Sequence, residues 1–167
     1  MDNKQELIKK AADIALENER VYGGCAQCVL SGVKETFGNI SDDVFKAATG
    51  LAGGIGRSGA ACGALTGGTI AISMFCGREY HNFADPDKVR HKTFAMCLEL
   101  AERFKKAYGS VNCWEIHDRL MGRHFNIADP KEYEEFLAAG GHDDKCPVVC
   151  ADSVKWVLEI LDKEGLL

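Results

Sequence analysis

The sequence predicts an all-α protein, a compact multi-helix bundle with a glycine-rich turn and a tightly packed central helix. Apolar residues recur at helical spacing along most of the 167-residue chain, and no stretch alternates long enough to demand a strand. Glycine pairs and capping residues fall between the periodic segments, where a helical chain has to stop and turn.

Residues 3–20 place Leu7, Ala11, Ile14 and Ala15 on one side, with Lys4, Lys9, Lys10, Asp13 and Glu17 mostly elsewhere. That pattern predicts a helix burying one stripe, ended by Tyr22-Gly23-Gly24. A second helix is expected from Gly24 or Cys25 to Phe37, with Gly38-Asn39 as its stop. Ser41-Asp42-Asp43 offers cap oxygens and first-turn acids to a short helix through Ala48.

The glycine-dense stretch 49–68 needs compensation, because each helical glycine costs roughly 0.5–1 kcal/mol relative to alanine. Gly53, Gly54, Gly56 and Gly59 suit a turn, while Gly63, Gly67 and Gly68 suit a helix (60–76) packed so tightly that a β-carbon would clash. A loop follows at 81–85. Asp85-Pro86 then opens the longest helix, 86–108, with Phe94, Cys97, Leu98, Ala101, Phe104 and Tyr108 as its stripe and Gly109 as its end. Residues 112–120 read as a short helix and 121–130 as a loop. Pro130 opens a helix to Leu137, and the last helix starts at Cys146-Pro147, turning Val149, Cys150, Val154, Val157 and Leu161 inward.

A chain of this length with 46% hydrophobic and 27% charged residues suits one domain over 1–167. The longest weakly polar run, 60–76, is shorter than the roughly 20 residues a membrane helix needs, so no membrane insertion is expected. Nucleic acid is not an expected partner, since the formal charge is −5 and no Lys/Arg stripe is present. The amino end shows no export signal, which points to the cytoplasm. In that compartment the eight cysteines read as reduced thiols, used for metal binding, thiol redox chemistry or packing.

On a helix Cys25 and Cys28 lie about 60° apart around the axis, and Cys146 and Cys150 about 40° apart, so each pair shares a face. Cys25, Cys62, Cys113 and Cys146 all fall at predicted helix starts, where exposed amides favour thiolate. Four such thiols could form a tetrathiolate site for an iron–sulfur cluster or for zinc. Cys25 and Cys28 instead form a C-x-x-C pair suited to dithiol catalysis, although no βαβ context accompanies it. Structural use of the thiols is the remaining alternative. Cys76, about 21 Å along a continuous helix from Cys62, and mid-helix Cys97 are expected in the core.

Cys25-Ala26-Gln27, Gly53-Gly54-Ile55-Gly56, the run Gly59-Ala60-Ala61-Cys62-Gly63-Ala64-Leu65-Thr66-Gly67, Cys113 after the 104–109 segment, and Cys146 with its following helix resemble the C-GCAxxG-C-C family of redox-active proteins. The resemblance runs from Cys25 over nearly all the remaining chain. It implies a redox-type domain and a relation to the helical, iron–sulfur-bearing region of split-Soret cytochromes. Covalent haem is not implied, for C-x-x-C-H is missing. It also implies an iron–sulfur cluster on Cys25, Cys62, Cys113 and Cys146, used for electron transfer or reduction of a small substrate, with a redox partner protein or small molecule as counterpart. Cys28 replaces a small residue usual in the family and Cys150 is additional, so both are further candidate ligands. A metal-free dithiol oxidoreductase and a zinc-stabilised protein stay open, and a homodimer is expected.

Other polar residues are read as ordinary. His117 and His124, flanking Asp118 and Arg119, fit exposed or locally hydrogen-bonded histidines, and His81, His91 and His142 lack paired-ligand spacing. The glycine run carries no Walker lysine and follows no strand, which argues against phosphate binding. Arg57 could neutralise a nearby thiolate, but a solvated loop arginine is the commoner case.

Overall fold

The computed structural model describes residues 3–167. Eight α-helices follow one another: α1 (Asn3–Tyr22), α2 (Cys25–Phe37), α3 (Asp42–Ala47), α4 (Gly63–Cys76), α5 (Val89–Tyr108), α6 (Cys113–Met121), α7 (Pro130–Ala138) and α8 (Cys146–Lys163). The architecture is all-α, as the periodicity predicts. α1 lies along α2 and α8, and these two embrace α4, whose other side meets α5.

Central helix α4 is buried by its small residues. A β-carbon on Gly67 would stand 2.5 Å from Ala26 O, and one on Gly63 would stand 2.2 Å from Cys25 Sγ. The backbones of α2 and α4 thus approach as the glycine spacing suggests. That approach brings the first turns of both helices together.

The glycine-rich turn is left-handed. Gly53, Gly54, Ile55, Gly56 and Arg57 have φ of 64, 71, 62, 60 and 68°. Ile55 and Arg57 are held there at a cost of about 1 kcal/mol or more each. Backbone bonds offset it: Gly56 N donates to Gly50 O (2.8 Å), Gly59 N to Gly53 O (3.1 Å) and Ala60 N to Gly54 O (3.1 Å).

Two helix starts differ from expectation. α4 begins at Gly63 because the preceding residues are extended, with Ala61 bridged antiparallel to Asn112. Cys62 N donates to Val111 O (2.9 Å) and Cys113 N to Ala60 O (2.7 Å). This short pairing sets the starts of α4 and α6 side by side. α5 begins at Val89 rather than Pro86, since the buried Asp85 carboxylate accepts from Val89 N (2.7 Å) and Arg90 N (3.2 Å).

The stripe assigned to α5 is also corrected. Thr93, Met96, Leu100, Phe104 and Tyr108 are buried, whereas Phe94 and Leu98 are 61% and 60% exposed. The Thr93 hydroxyl, which donates to Cys76 O at 2.8 Å, fixes that rotation against the end of α4. Among the described residues, no helix is long and apolar enough to cross a membrane.

Candidate functional site

Cys25 opens α2, Cys62 caps α4, Cys113 opens α6 and Cys146 opens α8. Residues far apart in sequence meet here because the α2–α4 glycine contact joins the first two, and the 61–112 bridge joins the second and third. The fourth arrives through a turn, Gly141–Lys145, in which Asp143 N, Asp144 N and Lys145 N all reach Gly140 O (3.0, 3.1 and 3.2 Å). All four cysteines line one cavity of about 310 Å³, shared with Glu19, Arg57, His117, Tyr133, Phe136 and His142.

Within this cavity Cys113 Sγ and Cys146 Sγ lie 3.6 and 3.9 Å from the same atom, His117 Nε2. Cys28 and Cys150 stand behind the wall, with their thiols donating to Gly23 O (3.2 Å) and Cys25 O (3.7 Å). Cys76 and Cys97 lie away from the site, between α4 and α5, where the Cys76 thiol donates to Ile72 O at 3.2 Å. None of the eight cysteines is in a disulfide.

Burial governs the electrostatics. It pushes the Cys62 and Cys113 thiols up to about 12, with neighbouring thiolates adding to the effect. Cys25, Cys28, Cys146 and Cys150 are raised too, by burial first and then by the Glu19 carboxylate. The helix-start amides do act on Cys62, where those of Ala64 and Leu65 pull the other way, but they are outweighed. At neutral pH the cavity holds thiols rather than the thiolates expected from helix starts.

His117 is 2% exposed, and burial, aided by His124, lowers its pKa to about 4. The unfolded chain takes up this proton near pH 6.5, so the contribution to stability is complete above that pH. It is lost as pH falls from about 6.5 to about 4, a change on the order of 3 kcal/mol at the limit. Urea unfolding between pH 7 and 4 should show a steeper loss in the wild type than in His117→Gln. Equal slopes would contradict a neutral buried imidazole.

One site residue, Glu19, escapes the sequence reading, and His117, read there as an exposed or locally hydrogen-bonded histidine, is instead buried in the site. Glu19 is 2% exposed, yet it sits in register with Ile8, Ala11 and Ala15 on the buried stripe of α1. A carboxylate on an apolar stripe was the available signal. His117 follows Cys113 by one helical turn, a spacing that puts both on one face. By contrast His124 is exposed, stacked on Trp114 at 5.1 Å and 3.0 Å from Asp118, as an ordinary histidine would be. Arg57 is exposed at the mouth, with its guanidinium 5.5 Å from the Tyr133 ring centre.

The metal expectation does not survive. Among the described residues, no group of three or more His, Cys, Asp or Glu side chains is arranged to hold a metal ion. This overturns the iron–sulfur cluster on Cys25, Cys62, Cys113 and Cys146, the addition of Cys28 and Cys150 as ligands, and the zinc alternative. The physical reason is direction. Cys113 and Cys146 face a histidine nitrogen, Cys28 and Cys150 face backbone carbonyls, and Cys25 and Cys62 face backbone amides, while a buried carboxylate among them opposes the accumulation of thiolate charge a cluster requires.

The fold is a helical domain with four cysteines gathered at helix starts, and residues 24–160 match the family described as "Putative redox-active protein (C_GCAxxG_C_C)". The chain belongs to that family. Its central segment reads Cys62-Gly63-Ala64-Leu65-Thr66-Gly67, so cysteine and glycine are transposed relative to the family's label. An uncharacterised protein of Archaeoglobus fulgidus is 29% identical over 119 residues, covering 69% of this chain and 79% of the relative. No solved structure matches. The family match carries no link to split-Soret cytochromes.

Proposed function

We propose that the cavity is a metal-free thiol redox centre that reduces a small disulfide. Two protein thiols attack in turn: one forms a mixed disulfide and expels the first substrate thiol, and the second closes the protein disulfide and expels the other. Two S–H bonds and the substrate S–S bond are lost, one protein S–S bond forms, and both protons leave on the two product thiols. The observation that carries this reading is the shared contact of Cys113 Sγ and Cys146 Sγ with His117 Nε2. The neutral imidazole there accepts a hydrogen bond from the attacking thiol and orients it, and the proton passes to the departing thiolate as the S–S bond breaks.

A second pairing, Cys25 with Cys28, is favoured by their positions one turn apart at the start of α2. Anaerobic protein treated with 2-hydroxyethyl disulfide distinguishes them. Release of mercaptoethanol with a mapped Cys113–Cys146 bond supports the first pair, and a Cys25–Cys28 bond supports the second. No release contradicts the function.

The same reading treats residues 1–167 as one redox domain working in a reducing compartment, the cytoplasm, where eight thiols persist unpaired. It keeps the homodimer as a proposal, motivated by the exposed Phe94 and Leu98 on α5.

A further inference from the structure

Glu19 is the feature of the cavity that thiol exchange does not use. Its Oε2 is buried with no aligned hydrogen bond, the Cys28 thiol beside the carboxylate donating to Gly23 O instead, and Oε1 lies 3.2 Å from His142 Nδ1 without hydrogen-bond alignment, leaving that nitrogen unpartnered as well. A carboxylate taken out of water and left without a strong, aligned donor costs several kcal/mol. Such an arrangement is suited to a ligand that brings the donor.

We propose that the cavity selects low-molecular-weight disulfides carrying an ammonium group, with Glu19 as the receptor for that group. The inference rests on the reading of the cavity as a thiol centre and adds the class of substrate. The volume of about 310 Å³ is at the lower end of small-molecule pockets, which favours a compact aliphatic ligand. Phe136 and Tyr133, which also line the cavity, add apolar surface for such a ligand. The cationic side chains at the rim already have partners: Arg20 Nε donates to Asp143 O at 2.8 Å and Arg57 Nη1 to Ile127 O at 3.4 Å. Selection by charge therefore takes place inside, at the one carboxylate among the lining residues.

The arrangement also couples binding to chemistry. Glu19 is among the groups that keep Cys25, Cys62, Cys113 and Cys146 protonated. A bound ammonium offsets that charge and lets the attacking thiol ionise, so the preferred substrate assists its own reduction.

Three disulfides that differ in charge test this: cystamine, 2-hydroxyethyl disulfide and 3,3′-dithiodipropionate. Each rate is divided by the rate of the same disulfide with free dithiothreitol, which removes intrinsic reactivity. The wild type should favour cystamine over the neutral compound by at least about tenfold, the yield of one charge-assisted hydrogen bond, with the dianion slowest. Glu19→Gln, checked for folding by circular dichroism, should bring the cystamine ratio close to that of the neutral disulfide, and Glu19→Asp should retain part of the preference. Equal normalised rates in the wild type, or a preference unchanged in Glu19→Gln, would overturn the selection while leaving the thiol centre standing. Failure of all three disulfides to react would overturn both.

Discussion

Gly67→Val should lower the stability of the protein by about 3 kcal/mol, at or above the upper end of the usual cost of overpacking. The first added carbon would already stand 2.5 Å from Ala26 O and 2.9 Å from Ala26 Cα. Those atoms belong to the backbone of α2 and cannot swing aside as a side-chain tip can. For a chain of this size the loss corresponds to a melting midpoint lower by roughly 6–12 °C. Gly50, which has nothing within 4 Å of its β-carbon position, supplies the control: Gly50→Ala should stay within about 0.5 kcal/mol of the wild type. Similar melting of Gly67→Val and the wild type would refute the close approach of α2 and α4.

The second large effect concerns chemistry. Cys113→Ser or Cys146→Ser should each reduce the rate of disulfide reduction by at least about 100-fold, because a hydroxyl cannot replace the attacking or the resolving thiolate. Cys76→Ser and Cys97→Ser, remote from the cavity, should keep the wild-type rate. Steady-state release of mercaptoethanol, with dithiothreitol supplied to re-reduce the protein and its direct reaction subtracted, measures all four. A large loss confined to a Cys25→Ser variant measured alongside them would move the function to the C-x-x-C pair, and equal loss in Cys97→Ser would refute a local centre.

Why some of this was legible and some was not follows from the range of each interaction. Helix starts depend on a few adjacent residues, so Ser41, Pro130 and Cys146-Pro147 mark them in the sequence, and the small residues of α4 announce its close packing. Rotation of α5 is different. It depends on Asp85 capping the helix from below and on Thr93 reaching Cys76 O, and a rotation of one residue exchanges Phe94, Cys97 and Ala101 for Thr93, Met96 and Leu100. Metal binding was the least accessible property. Spacing delivers cysteines to a common cavity, but sulfur direction depends on side-chain neighbours such as His117 and the Gly23 carbonyl, which only the folded chain brings into reach. Glu19 was visible on its stripe, yet its unpartnered oxygen is a property of the tertiary structure alone.

The central claim, a two-electron thiol couple in the cavity, is tested most directly by equilibrating the protein with oxidised and reduced dithiothreitol under anaerobic conditions, then trapping thiols and mapping disulfides by mass spectrometry. The account predicts a single transition with a slope near 30 mV per decade, as a two-electron couple requires, in which two thiols disappear together and Cys113 and Cys146 become linked. Full retention of free Cys25, Cys62, Cys113 and Cys146 across the whole range of potentials would contradict it.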